Sequence, residues 1–160
     1  MNFQIHWLHW FFWGFVASLA LVTTESIAQG LGFTRLNLPL ILGTAITPNR
    51  DRARALGILI HILLGWIFSL IYVVAMNFLG GPNWYRGAII GLCQALVICV
   101  IGWQILPGIH PRMASETHGP EATRMLEPPG FMGVNYGITT PIAVFVIHAI
   151  FGVVLGVFYR

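Results

Sequence analysis

Charged side chains are scarce in this 160-residue sequence. Asp, Glu, Lys and Arg make up 8% of the residues against 57% that are hydrophobic, and all eight basic residues are Arg. A soluble domain carries about 25% charged residues, so this composition argues against a soluble enzyme. The net charge of +3 comes from dispersed arginines, which form no basic patch of the kind that binds nucleic acid. We therefore predict an integral membrane protein that contacts the lipid bilayer and no nucleic acid.

Cysteines are few and the familiar catalytic motifs are missing. Cys93 and Cys99 are the two cysteines, and they lie six residues apart in an apolar run. On a helix they face different directions, so a disulfide framework is excluded. The sequence contains no Ser-His-Asp pattern, no phosphate-binding loop and no paired-Cys motif, which leaves the common enzyme classes unsupported.

Long apolar segments are the dominant feature that is present. The four segments cover residues 7–28, 55–79, 84–106 and 139–159, and each has about the 20 helical residues needed to cross a bilayer core. The apolar runs are continuous and do not alternate with polar residues, which favours helices over the strands of a barrel. The predicted fold is a single all-α domain of four transmembrane helices.

The connections between these segments differ in length and character. Residues 80–83, Gly-Gly-Pro-Asn, predict a tight turn and an antiparallel hairpin. The apolar stretch 36–46 is too short to span the bilayer, which predicts an interfacial or re-entrant segment. Thr47 followed by Pro48 predicts the start of the second spanning helix. The loop 107–138 is rich in Pro and Gly but also carries aromatic and apolar residues, which favours an ordered cap over a linker.

Positive charge is distributed unevenly between the two ends of the predicted bundle. Cytoplasmic loops of membrane proteins carry an excess of Arg and Lys. Two arginines, Arg86 and Arg160, belong to one end, and the other six belong to the two long connections: Arg35, Arg50, Arg52, Arg54, Arg112 and Arg124. This asymmetry predicts that both long loops are cytoplasmic and that both termini lie outside.

A short motif occurs in both the second and the fourth segment. The second segment has His61 followed by Gly65 and Tyr72, and the fourth repeats the His-x3-Gly-x6-Tyr pattern from His148. Because eleven residues are close to three helical turns, His and Tyr share one helix face in each segment. The two segments run in the same direction, so the motif suggests a 2+2 repeat of parallel helix pairs.

Small residues recur at a spacing of four around these histidines. Such stripes let helix backbones approach closely, which matters in lipid, where the hydrophobic effect does not bring helices together. The predicted helix-packing positions are Gly57, Gly65, Ser69, Gly87, Gly91, Gly152 and Gly156.

The paired histidines allow two interpretations. Each can make an ordinary interhelical hydrogen bond, for example to Gln94. Alternatively, His61 and His148 are ligands of a haem, another tetrapyrrole pigment or a metal, since imidazole binds all of them. In this second interpretation the glycines near them, Gly57, Gly65 and Gly152, give room for a flat ring.

Other ionisable residues offer weaker candidates. Glu25 lies near one end of the first segment, where we expect an Arg of the first loop, such as Arg35 or Arg54, to pair with it. A transport pathway would instead use Glu25 with the two histidines. In the third loop the metal-ligand candidates are His110, Glu116, His118 and Glu121. Their spacing matches no tight metal signature, so we predict no metal site there.

The N-terminal segment concentrates aromatic residues. Trp7, Trp10 and Trp13 lie within two turns of a helix. Tryptophan commonly anchors proteins at the membrane interface, but this density exceeds what anchoring needs. We expect the three residues to contact lipid, a pigment or a partner subunit.

Several runs together resemble a family of small bacterial four-helix membrane proteins. The family is a domain of unknown function, with a more distant likeness to the YagU inner-membrane family. The resemblance implies four spans, an ordered third loop and a location in the bacterial cytoplasmic membrane, but no activity. It is carried by residues 38–43, 51–53, 57–65, 84–91, 110–116, 127–131 and 148–159.

The sequence favours a structural function. The small-residue stripes, the aromatic N-terminus and the lack of catalytic groups predict a non-catalytic accessory subunit of a larger membrane assembly, of the electron-transfer or photosynthetic kind. Its partners would be other membrane subunits or a second copy. The alternatives are a haem-, pigment- or metal-binding protein that uses His61 and His148, and a small transporter.

Overall fold

The computed structural model describes residues 5–115 and 126–160, and this part of the chain is helical, without a named strand. Four of its helical segments are long and apolar enough to span a membrane, which confirms the predicted all-α fold with four such helices. The helices are α1 (Trp7–Gly30), α2 (Leu38–Ile46), α3 (Arg50–Phe78), α4 (Trp84–Val97), α5 (Trp103–Ile109) and α6 (Thr140–Phe158). A π-helical turn, Ile98–Gly102, joins α4 to α5, so the third span runs over Trp84–Ile109.

The second spanning helix begins later than the sequence predicts. Thr47 is in extended conformation at the end of α2, and α3 begins at Arg50 after an Asn49 cap. The Asn49 side chain accepts a hydrogen bond from the backbone N–H of Arg52 at 3.0 Å, and this bond satisfies a donor that the helix itself leaves free. The predicted start at Thr47 and Pro48 is therefore wrong, because asparagine two residues on provides the cap.

Helix α2 is a short buried helix that packs along the first turns of α3. It has nine residues, fewer than the roughly 20 that a span requires. Two glycines bring the helices into backbone contact: a Cβ at Gly43 would overlap the carbonyl oxygen of Ala53, and one at Gly57 would overlap that of Pro39. The two helices therefore form one unit.

Helices α4 and α6 form an equally close contact, which we call the α4–α6 seam. A Cβ at Gly87 would overlap the carbonyl oxygen of Gly152, and a Cβ at Gly152 would overlap that of Gly87. Gly91 lies in the same way against the carbonyl oxygen of His148. Small residues thus give backbone-to-backbone contact over several turns.

The two helices of the predicted hairpin, α3 and α4, do not pack closely against each other. Helix α3 packs against α1 and α2, α4 packs against α6, and α3 and α4 touch only sparingly. Helix α1 joins the two units through a core shared with α3 and α6, which includes Leu21, Tyr72, Met76, Phe151 and Leu155. A cleft is left between α3 and α4.

The two long connections lie against each other at one end of the bundle. The backbone N–H of Arg35 donates to the carbonyl of Tyr136 at 2.8 Å, and Thr34 and Thr140 are joined through their hydroxyls at 2.8 Å. The phenol of Tyr136 donates to the carbonyl of Glu127 at 2.6 Å, and burial raises the pKa of Tyr136 to about 12. The described parts of the third loop are thus held against the first connection.

Candidate functional site

The two histidines of the repeated motif line the same cavity, which lies in the cleft between α3 and α4. The cavity has a volume of about 330 Å³, within the range of small-molecule sites, roughly 300 to 1,000 Å³. Its walls combine His61, Gln94, Trp103 and His148 with apolar residues from every spanning helix and from α2. These are Leu21, Leu38, Leu42, Leu64, Gly65, Phe68, Val97, Ile98, Gly102, Leu106 and Phe151.

The imidazole of His61 is held by a buried carboxylate. Its Nδ1 lies 3.2 Å from Oε2 of Glu25, and both side chains are buried. The other carboxylate oxygen of Glu25 accepts the backbone N–H of Leu38 at 2.8 Å, at the first turn of α2. The expected partner Arg35 instead donates to the carbonyl of Asn135 at 2.6 Å. The contact between His61 and Glu25 places the imidazole beside the carboxylate, but neither Oε2 of Glu25 nor Nδ1 of His61 makes a hydrogen bond with a described residue.

His148 is oriented by the backbone of its own helix. Its Nδ1 donates to the carbonyl of Val144, one turn earlier, at 2.8 Å. A neutral imidazole with a hydrogen on Nδ1 presents Nε2 as an acceptor. Neither the Nε2 of His148 nor that of His61 makes a hydrogen bond within residues 5–115 and 126–160. Both rings therefore bring a free nitrogen to the cavity wall.

Gln94 adds a donor to the same wall. The phenol of Tyr72 donates to the amide oxygen of Gln94, which fixes the orientation of the amide and leaves its nitrogen as a donor. Tyr72 is itself buried against the edge of Phe151, with 5.0 Å between the ring centroids. Tyr72, the tyrosine of the motif in α3, thus orients Gln94 but does not itself line the cavity.

A π-helical turn forms part of the wall beside α3. Ile98 and Gly102, which begin and end this turn, both line the cavity, and Trp103 follows directly. Turns of this kind are rare and occur frequently at functional sites. The π turn could not be predicted from the sequence, because its residues are as apolar as the rest of the span and no local signal separates them.

The cavity opens sideways between α3 and α4. Leu64, Phe68 and Val97 line it and yet remain 37%, 41% and 55% exposed. Exposed apolar residues of this kind face hydrocarbon wherever a helix crosses a membrane, and α3 and the third span are long and apolar enough to do so. The cavity is therefore reached from its side between apolar side chains.

Most of the predicted small-residue positions lie in helix contacts and not beside the cavity. Gly57 is filled by Pro39 and Gly152 by Gly87, so neither gives room for a ring next to a histidine. Gly65 alone of the three glycines lines the cavity. The other packing positions contact neighbouring helices: Ser69 lies against Gly14, Gly87 against Gly152, Gly91 against His148 and Gly156 against Asn83.

The tryptophans of the N-terminal run have different surroundings. Trp10 donates from its indole nitrogen to Ser69 at 2.9 Å, and Trp13 stacks on Phe158 with 4.7 Å between centroids. These two residues fasten α1 to α3 and α6, so their main contacts lie within the molecule. Trp7 is 61% exposed and is free to contact lipid or a partner.

Both ring nitrogens of His110 make hydrogen bonds that hold the third loop. Its Nε2 donates to the carbonyl of Ile41 at 2.9 Å, and its Nδ1 accepts the backbone N–H of Arg112 at 3.2 Å. Burial and the nearby Arg112 charge lower the pKa of His110, which favours this neutral form. The other metal candidates, Glu116, His118 and Glu121, lie outside the described residues. Within the described residues no three His, Cys, Asp or Glu side chains are grouped to hold a metal ion.

Comparison with known proteins gives no relative from which a function could be transferred. No protein-family model, curated protein or solved structure matches this chain. The chemistry of the cavity therefore has to be derived from its own residues.

Proposed function

We propose that this chain is an integral membrane protein that binds an apolar, bilayer-soluble ligand in the cleft between α3 and α4. The observation that carries the proposal is the placement of two imidazoles, His61 and His148, on one apolar cavity with their Nε2 atoms free. Polar groups without partners are costly inside a membrane. A ligand that engages both nitrogens would remove that cost.

The test of this proposal is retention of a bound molecule. Leu64 lines the cleft, whereas Ile67 on the same helix is 63% exposed and lies outside it. We expect a lipid-soluble molecule to co-purify with the wild-type protein and with Ile67→Trp, and to be lost from Leu64→Trp, whose indole occupies the cleft. Organic extraction and mass spectrometry would identify it. The same extract from all three proteins would contradict the proposal.

A tetrapyrrole is the ligand class that the paired histidines first suggest. Ligating histidines usually engage their second nitrogen with a carboxylate or a backbone carbonyl, as His61 and His148 do. Against this class, Gly57 and Gly152 are filled by neighbouring backbone, so a flat macrocycle would have to separate the helices. An absorption spectrum of protein from native membranes decides the question. A Soret band that His148→Ala removes and exposed His9→Ala retains would establish a tetrapyrrole.

A second candidate function is that of a non-catalytic accessory subunit in a larger, energy-transducing membrane assembly. The observation that favours it is a group of large, strongly exposed residues on α1, namely Trp7, Leu8, Phe11 and Phe12. Purification in mild detergent should then retain a partner, or a second copy, that Leu8→Ala and Phe12→Ala together release. A stable monomer without any partner would exclude this function.

We also propose the bacterial cytoplasmic membrane as the location, with the two long connections in the cytoplasm. The charge asymmetry of the arginines and the resemblance to small bacterial membrane proteins support this placement. The pairing of α1 with α3 and of α4 with α6, with one motif histidine from each pair on the shared cavity, supports the 2+2 repeat. Reporter fusions after residue 45 and at the C-terminus would establish the orientation.

A further inference from the structure

We infer that the ligand of the cleft is a lipid-soluble hydroquinone, one of whose ring hydroxyl groups donates a hydrogen bond to the Nε2 atom of His148 and accepts one from the amide nitrogen of Gln94. This inference rests on the proposed ligand-binding function and specifies the ligand's chemistry. The polar groups of the cavity, its apolar walls and its lateral opening each restrict that chemistry.

His148 requires a ligand that donates a hydrogen bond. His148 uses its Nδ1 hydrogen on the carbonyl of Val144. In the neutral ring the remaining nitrogen has a lone pair and no hydrogen. An acceptor therefore faces the cavity at His148, and a ligand that offers only carbonyl or ether oxygens leaves it unpaired.

Gln94 requires an acceptor on the same ligand. Its amide oxygen accepts the phenol of Tyr72, so the amide nitrogen is the group left for the cavity. A hydroxyl group donates through its hydrogen and accepts through its lone pairs. A ring hydroxyl can thus bond a histidine and Gln94 together, which a hydrocarbon or a bare metal ion cannot do.

The walls and the opening define the rest of the molecule. Leucine, phenylalanine, valine and isoleucine form most of the lining, and the volume of about 330 Å³ has room for a single substituted ring. The exposed side chains of Leu64, Phe68 and Val97 mark a path into hydrocarbon. A hydroquinone with a long apolar tail can place its ring at the histidines while the tail leaves along this path.

The inference is tested by comparing three ligands that differ only at the ring oxygens. The purified protein in lipid nanodiscs would be titrated calorimetrically with decyl-hydroquinone, its dimethyl ether and the corresponding quinone, with empty nanodiscs as the baseline for partitioning. We expect the hydroquinone to bind roughly tenfold more tightly than the ether, because the hydrogen bond to His148 is lost. The quinone, which has only acceptors, should also bind more weakly than the hydroquinone.

Two variants assign the difference to the cleft. His148→Phe removes one acceptor at similar volume and should reduce the preference for hydroquinone over ether roughly three- to tenfold. Ile142→Phe, on the exposed side of the same helix, should leave the preference unchanged. If His148→Phe does not fold, the three-ligand comparison on the wild-type protein still decides the question.

The outcomes separate this inference from the function on which it rests. Equal saturable binding of hydroquinone and ether would overturn the hydroquinone assignment and leave an apolar-ligand cleft in place. A tetrapyrrole spectrum from native membranes would also overturn it. If none of the three ligands saturates the protein, and Leu64→Trp extracts the same molecules as the wild type, both the inference and the proposed function fail.

Discussion

The α4–α6 seam and the cleft between α3 and α4 are built on the same helix but have opposite packing. In the seam, Gly87 and Gly152 bring two backbones so close that a methyl group has no space. In the cleft, large side chains such as Leu64 and Phe68 leave a cavity of about 330 Å³. Because α4 is tied to α6 and α3 is tied to α1 and α2, neither helix is free to move and close the gap.

His148 belongs to both regions. Its carbonyl oxygen lies in the seam against Gly91, while its side chain lines the cleft. The close backbone contact in the α4–α6 seam therefore fixes the position of a side chain that lines the cleft. This division is expected of a binding site in a membrane, where rigid packing must hold polar groups at the edge of a space that the protein does not fill.

The largest expected effect comes from adding a methyl group to the seam. Gly87→Ala should destabilise the protein by about 3 kcal/mol, because the new Cβ overlaps the carbonyl oxygen of Gly152 and two helices must separate. Thermal unfolding in detergent measures this effect. Gly30→Ala is the control, since a Cβ there meets no atom within 4 Å. Equal stability of the two variants would mean that the seam is not rigid.

The second effect tests the polar support of the cleft. Glu25→Ala removes the partner of the His61 imidazole and of the Leu38 backbone N–H. Losing the buried hydrogen bond from Leu38 and the buried contact with His61 should cost about 2 kcal/mol. Glu25→Gln, which keeps an acceptor, should recover part of the loss, and Glu127→Gln on the exposed loop should change unfolding little. No difference between Glu25→Ala and Glu127→Gln would contradict a supporting role for Glu25.

The third effect tests whether the cleft has space. Leu64→Trp adds far more volume than a methyl group, yet we expect the unfolding free energy to change by less than about 1 kcal/mol, because the side chain lies at an open cavity. The same unfolding assay compares this variant with Gly87→Ala. A loss as large as that of Gly87→Ala would show that the cleft is as tightly packed as the seam.

The smallest effect concerns pH and separates the third loop from both regions. Burial and the Arg112 charge lower the pKa of His110 below the usual 6.5. Above about pH 6.5 the contribution of His110 to the free energy of unfolding is fully present. As the pH falls below about 6.5, the unfolded chain takes up a proton before the folded one, so the free energy of unfolding decreases until the pH reaches the lower pKa of the folded protein. His110→Gln should flatten this decrease in unfolding measurements between pH 7.5 and 5. An unchanged slope would mean that His110 does not cause the decrease.

Much of the architecture could be predicted because it follows from composition and length. Four apolar segments define four spans whatever their contacts. The repeated motif also identified His61 and His148 as candidate site residues from the sequence alone. The partner of Glu25 could not be predicted: the sequence favoured an arginine of the adjacent loop, and the fold brings His61 to it. That contact joins residues on different helices, and nothing in the local sequence encodes it.

The scarcity of charge and the length of the apolar runs determined by themselves that the chain has four helices long and apolar enough to span a membrane, because a bilayer imposes the same requirement on every span. Only the tertiary structure decided what the small residues and histidines do. Gly57 and Gly152 pack against neighbouring backbones. The two histidines share a cavity because α3 and α4 pack against different helices. Helix pairing depends on side-chain shapes across the whole bundle, which no single segment contains.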